Sequence, residues 1–172
     1  MNRLIRLCRL VMLIIAAGIM FEPVGSLAAP RTGQTAPNFM VRTTTGQQVS
    51  LDDYHGRVLV LDFFASWCQP CRMSIPHLVE MNRKYGPQGL QVLGLSADED
   101  GERAVKAFAE KNRITYPVAL AGETTLVDYG VRRIPVMFVI DKKGRVAEIF
   151  RGFTDEVGRS TEQLVKKLLA EK

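Results

Sequence analysis

Cysteine is scarce in this chain. There are 3 in 172 residues, and only Cys68 and Cys71 lie beyond the first ten positions. That excludes a small scaffold stapled by several disulfides. A bridge across two intervening residues constrains an unfolded chain little, and a domain this long needs no staple. The pair therefore reads as reactive rather than structural. Histidine is scarcer still, with 2 residues, His55 and His77. They form no recognisable ligand pair, so a four-ligand zinc site is not expected, and neither a metal nor another cofactor is expected. Long basic runs are also missing. The net charge of +5 falls to +3 without residues 1–29, and no basic stretch after that exceeds two residues, as in Lys142-Lys143 and Lys166-Lys167. Nucleic acid is not an expected partner. There is no internal repeat and no low-complexity tract.

The single continuous apolar run of note is Leu10–Phe21. It is shorter than the roughly 20 residues of a comfortable membrane span. Arg3, Arg6 and Arg9 precede it, Glu22 and Pro23 break it, and Ser26-Leu27-Ala28-Ala29 offers small residues for cleavage. This is the pattern of a secretory signal. Residues 1–29 are read as a signal peptide or N-terminal membrane anchor, residues 30–37 as a linker and residues 38–172 as one domain. The expected location is the periplasm, either soluble after cleavage or tethered to the inner membrane by residues 10–21. Cys8 precedes the apolar run, so it is not placed like a lipoprotein acceptor.

Alternation and turn residues suggest a hairpin from Asn38–Arg42 and Gln48–Leu51. Val58–Phe64 is nearly unbroken apolar sequence, as in a strand covered on both faces. A helix is expected from Gln69 to Tyr85, ended by Gly86-Pro87. Leu90–Leu95 is a second buried strand. A helix capped by Asp100 should run to about Asn112, with Val105, Phe108 and Ala109 inward. Tyr116–Leu120 reads as a strand and Thr124–Tyr129 as a turn or two of helix. Val136–Ile140 and Arg145–Phe150 form a hairpin about Asp141-Lys142-Lys143-Gly144. Thr161–Ala170 closes the chain as an amphipathic helix. The order implies an α/β fold, a mixed sheet covered by helices.

The chemistry concentrates at Trp67-Cys68-Gln69-Pro70-Cys71, where a buried strand feeds a helix. Cys68 falls at the helix N-terminus, where unpaired N–H groups and the macrodipole stabilise an anion. Its thiolate fraction should rise, and the thiolate is the attacking species. Cys71, about one turn on, can resolve a mixed disulfide formed at Cys68. Pro70 suits a first helical turn. Asp62 stands among Leu61, Phe63 and Phe64, where burial would raise its pKa. Perturbed acids of this kind cluster at active sites.

The run Val58-Leu59-Val60-Leu61-Asp62-Phe63-Phe64-Ala65-Ser66-Trp67-Cys68-Gln69-Pro70-Cys71 resembles the active-site segment of thioredoxin. The longer pattern resembles the exported TlpA/ResA-like branch of that superfamily. Ala36-Pro37-Asn38-Phe39, Leu51-Asp52-Asp53-Tyr54-His55-Gly56-Arg57, Tyr129-Gly130-Val131-Arg132-Arg133-Ile134-Pro135 and Phe138-Val139-Ile140-Asp141-Lys142-Lys143-Gly144 carry that likeness. It covers nearly all of residues 33–170, and the stretch from about Ala97 to Gly130 resembles the branch's insertion. The resemblance implies a thioredoxin-like fold, a central mixed β-sheet flanked by helices with an N-terminal β-hairpin. It implies dithiol–disulfide exchange with cysteines of exported proteins, apocytochromes c among them, often as a reductant. A membrane-borne electron donor of the DsbD type would keep such a protein reduced. Pro135 matches the family's cis-proline, which would turn the backbone of Ile134 toward a substrate strand. Asp62 matches a buried aspartate that assists proton transfer at the second cysteine. Trp67, Gln69, Pro70 and Ile134 are the candidate substrate contacts. The chain departs from the branch at Ser74, where ResA-like members often carry glutamate, and at Asp62, where many carry asparagine.

Two alternatives belong to other classes. A copper-binding chaperone would use Met73 and His77 beside the cysteines, although Met73 reads better as packing. A thiol peroxidase would use Cys68 against peroxide, but the chain lacks the Thr-x-x-Cys pattern of peroxiredoxins. Arg72 is placed to lower a thiol pKa or to be a solvated helix charge. Pro76 should bend the active-site helix.

Overall fold

The computed structural model describes residues 29–171. The positions that suggest an export signal, from Arg3 to Ala28, lie outside the described residues, as does Cys8. Among the described residues no helix is long and apolar enough to cross a membrane.

Eleven regular elements follow in order: β1 (Met40–Arg42), β2 (Gln48–Ser50), β3 (Val58–Phe64), α1 (Gln69–Tyr85), β4 (Leu90–Ser96), α2 (Glu102–Lys111), β5 (Val118–Leu120), α3 (Glu123–Asp128), β6 (Val136–Ile140), β7 (Val146–Arg151) and α4 (Asp155–Ala170). Short 3-10 turns at Leu51–Tyr54 and Gly86–Gln88 join them. The central sheet has the order β5-β4-β3-β6-β7. Strands β3, β4 and β5 run parallel, while β6 and β7 are antiparallel to their neighbours. β1 and β2 form the separate antiparallel hairpin, which reaches the β5 edge through the Thr43–Ala119 bridge. This is the mixed, helix-flanked sheet of a thioredoxin-like fold.

The alternation of β3 builds two cores. Val58, Val60 and Phe64 face Ile75, Leu78 and Met81 of α1, with Val105 and Phe108 of α2 and Val165 and Leu168 of α4 in the same cluster. Leu59, Leu61 and Phe63 face the other way, toward Phe39, Val41 and Val49 of the hairpin and Tyr129 and Phe138. All seven β3 residues are buried, because both faces of the strand are covered. Each fully buried side chain of this size contributes about 1.5–3 kcal/mol by leaving water.

Several ends differ from the sequence reading. α4 starts at Asp155 rather than Thr161, because the Thr154 hydroxyl accepts the Val157 N–H at 3.2 Å and Asp155 and Glu156 fill the first turn. Thr161 is a fully buried interior residue whose hydroxyl donates to the Val157 carbonyl at 2.8 Å. α2 is capped by Gly101, at φ 85°, and not by Asp100. Leu51 ends no strand; it opens a 3-10 turn in which the Asp53 carboxylate accepts the Ser50 N–H at 2.7 Å. Residues 33–36 dock on the β6–β7 hairpin, where Gly33 and Ala36 donate to the carbonyls of Val146 and Gly144.

Candidate active site

Parallel strands bring their C-terminal ends to one edge of the sheet, where open α/β folds carry ligand sites. At that edge β3 passes into Ala65-Ser66-Trp67 and then α1. Cys68 is the N-cap of α1, in extended backbone conformation, and its sulfur accepts the Cys71 N–H at 3.3 Å. Cys68 and Cys71 are joined by a disulfide. The two sulfurs differ in access. Cys68 is 5% exposed, whereas Cys71 is wholly buried within the α1 core. The Cys71 N–H and the helix dipole are aimed at the Cys68 sulfur, an arrangement that favours negative charge there. Trp67, Gln69 and Pro70 are exposed around it, Trp67 to 67%.

Asp62 lies on the same β3 face as Val60 and Phe64, the face that α1 covers with Cys71 and Ile75. Its neighbours in the sheet are Gly94 and Met137. It is fully buried, and neither carboxylate oxygen has a hydrogen-bond partner among the described residues. Burial with no compensating donor pushes its pKa from 3.8 up to about 7. The Tyr116 phenol is raised too, first by its own burial and then by the Asp62 charge. Gly94 makes room for this cluster: a Cβ there would come within 3.1 Å of the Phe64 ring and 3.3 Å of the Tyr116 ring.

Ile134–Pro135 is a cis peptide bond. Val136 pairs with Phe63, so Pro135 lies beside the end of β3 where the cysteine loop begins. The Pro135 carbonyl accepts the Gly152 N–H at 2.8 Å. Among the described residues no backbone hydrogen bond uses the N–H or carbonyl of Ile134. The topology thus brings Cys68, Cys71, Ile134 and Pro135 to one end of β3, with Asp62 two residues inside that end, from positions far apart in the chain.

Sequence reasoning missed Asp98. This carboxylate is 7% exposed and accepts three hydrogen bonds, from the Ser66 N–H at 2.9 Å, the Ser66 hydroxyl at 2.6 Å and the Ser96 hydroxyl at 2.5 Å. Arg72 holds the other side of Ser66, donating to its carbonyl from Nε at 3.2 Å and Nη2 at 2.7 Å. Its guanidinium also lies 5.8 Å from the Phe108 ring centroid. The loop before Cys68 is therefore clamped on both sides of one residue, Ser66. A Ser-x-Asp turn directly after a buried parallel strand was the available signal, since such strand ends carry sites.

Other candidates separate from the cysteines. Met73, read as packing, is 56% exposed, because α1 turns Cys71, Ser74, Ile75 and Leu78 inward. His77 packs against Phe153 at 6.1 Å between ring centroids and against Gly158, with its Nε2 buried and unpartnered. Among the described residues no group of three or more His, Cys, Asp or Glu side chains is placed to hold a metal. Ser74 is fully buried and its hydroxyl donates to the Cys71 carbonyl at 2.8 Å. α1 continues through Pro76, whose missing N–H leaves the Arg72 carbonyl without its helical partner.

Comparison with known proteins agrees with this geometry. Residues 32–149 match the model of the AhpC/TSA family. A thiol-disulfide oxidoreductase ResA of Bacillus thuringiensis subsp. konkukian is 34% identical over 137 residues, covering 79% of this chain and 78% of the relative. The thioredoxin-like protein YneN of Bacillus subtilis is 31% identical over 121 residues, covering 70% of this chain and 71% of that protein. Among solved structures, a Chlorobium tepidum protein described as a thiol:disulfide interchange protein DsbE superposes with a TM-score of 0.77 at 35% identity. The match covers 83% of this chain and 100% of that one.

Proposed function

The chain belongs to the AhpC/TSA family, as a thiol–disulfide oxidoreductase of the TlpA/ResA-like branch, and we propose that it reduces disulfides of proteins outside the cytoplasm through Cys68 and Cys71. The observation that carries this reading is the asymmetry of the pair: Cys68, 5% exposed, caps a helix N-terminus beside exposed Trp67, Gln69 and Pro70, while Cys71 is fully buried with Asp62 on the same sheet face. In the reduced protein the Cys68 thiolate attacks a substrate disulfide. A Cys68–substrate bond forms and one substrate thiolate leaves. Cys71 then gives its proton to the Asp62 carboxylate and attacks Cys68 Sγ, expelling the second substrate thiolate. Two electrons pass to the substrate and the Cys68–Cys71 disulfide closes. An Asp62 pKa of about 7 lets that carboxylate accept and release the proton near neutral pH.

Ile134 and Pro135 support the substrate in this scheme. The Ile134 backbone, in no backbone hydrogen bond among the described residues, offers a donor and an acceptor to an extended chain, while Trp67, Gln69 and Pro70 supply the surface next to Cys68. Export rests on the N-terminal pattern of Arg3, Arg6, Arg9 and Leu10–Phe21. In an oxidising compartment a reductant needs a supply of electrons, so a membrane-borne donor of the DsbD type is the fitting partner, and apocytochromes c are fitting substrates.

Mixed disulfides trapped in cells by Cys71→Ser test the scheme. The expected catch is exported proteins bearing cysteine pairs; a catch of cytoplasmic proteins alone would refute the location. A reduction potential near the value of about −120 mV typical of DsbA would refute the direction. Peroxide consumption and tight Cu(I) binding by the reduced protein separate this reading from a thiol peroxidase and a copper chaperone.

A further inference from the structure

Beside Pro135 lies an open cleft of about 920 Å³, of whose lining the exchange scheme uses only Ile134 and Pro135. Its floor is apolar: Leu126, Val131 and Ile134 are half-buried there, and Val127 is 53% exposed. Its rim is cationic. Arg132, Arg133 and Arg151 line it against one acid, Glu123, and all four are exposed. Among the described residues none of these arginines makes an ion pair; the pairs present are His55–Asp52, Arg83–Glu80 and Lys84–Glu162, away from the cleft lining. The backbone of Arg132, Arg133 and Ile134 also enters no backbone hydrogen bond among the described residues. Three consecutive peptide groups are thus free to pair with an extended chain, along a wall that runs into the cis-proline.

We propose that this cleft receives an acidic, extended segment of the substrate polypeptide flanking its reactive cysteine. The inference rests on the exchange reading above and adds the substrate's charge to it. An apolar floor with free peptide groups fits a polypeptide. Three arginines with no ion pair among the described residues fit carboxylates on that polypeptide, and Arg presents its donors in a fork that matches them. Exposed charge of this kind raises encounter rate and selects partners by sign. β7 sets the geometry, because Arg151 pairs with Val136 and so stands next to Pro135 on the strand that closes the sheet.

The binding test needs no redox step. Cysteine-free decapeptides flanked by Asp and Glu, by Asn and Gln, or by Lys are titrated into the oxidised full chain. A fluorophore on each peptide reports occupancy by anisotropy. The acidic peptide should bind about tenfold more tightly than the neutral one at low salt, the scale of two to three exposed ion pairs. The gap should close as salt is raised. The Arg132→Glu, Arg133→Glu double variant should turn the preference toward the Lys-flanked peptide, a gain that a misfolded protein would not show. Equal binding of acidic and neutral peptides overturns the proposal. So does absence of peptide binding. Equal competition by a single-stranded oligonucleotide also overturns it, by reducing the arginines to general anion attraction. Turnover of uncharged hydroxyethyl disulfide by the wild-type protein tests the exchange chemistry separately, so failure of either reading is recognisable.

Discussion

Replacing Asp62 by asparagine should change the pH dependence of stability more than any other single substitution in the sheet. The carboxyl group is wholly buried, has no hydrogen-bond partner, and titrates at about 7 where an unfolded chain titrates near 3.8. Between those values the native state holds a proton that the unfolded state has lost. The slope of stability with pH is set by protons bound in the unfolded state minus those bound in the native state, so it is negative here. Stability from the neutral carboxyl is complete below about pH 4 and lost as pH rises to about 7. The gap from 3.8 to about 7, at roughly 1.4 kcal/mol per pH unit, is worth about 4 kcal/mol. Asparagine cannot titrate, so Asp62→Asn should be close to wild type at pH 4 and more stable by up to about 4 kcal/mol at pH 8.

Urea unfolding of the oxidised proteins from about pH 4 to 8 measures this, because a closed disulfide removes both thiol ionisations. Glu80 is held below its usual range by the Arg83 hydrogen bond and Glu162 by the Tyr85 hydroxyl. Their contributions act in the opposite sense at the acid end and cancel between the two proteins. A stability difference that stays constant with pH would refute the burial argument. The same variant should slow resolution of a mixed disulfide by Cys71, leaving the first attack by Cys68 much less affected; stopped-flow rates that match wild type at both steps would leave Asp62 without a part in proton transfer.

In the reduced protein Cys68 should be alkylated well before Cys71, with an apparent pKa below the usual value of about 8.5; mass spectrometry across a pH series reads both, and earlier labelling of Cys71 would reverse the assigned roles. Asp98→Ala should cost about 3 kcal/mol in urea unfolding, since it strips acceptors from the Ser66 N–H and hydroxyl and the Ser96 hydroxyl; a loss under about 0.5 kcal/mol would mean that water replaces the clamp. Gly94→Ala should destabilise by about 1–3 kcal/mol, because its Cβ would meet the Phe64 ring at 3.1 Å and the Tyr116 ring at 3.3 Å. An unchanged urea midpoint there would show that both rings yield freely.

Much of this protein was legible along the chain. The continuous apolar run of Val58–Phe64 requires cover on both faces, and it has it. A Cys-x-x-Cys at the start of a periodic helix fixes which cysteine meets the helix N-terminus, because that depends on chain order alone. The start of α4 is written as well, in Thr154-Asp155-Glu156, but a cap is a weaker pattern than the apolar stripe that follows it. Tertiary structure decided the rest. Asp62 has the same neighbours in sequence whether its carboxyl faces water or α1; the register of β3 between β4 and β6 leaves it with no donor. Asp98 clamps Ser66 across 32 residues. Arg151 joins Arg132 and Arg133 because β7 pairs with β6 at the cleft. Local sequence sets propensity and periodicity, whereas the approach of groups distant in the chain depends on how the strands pair and which faces the helices cover.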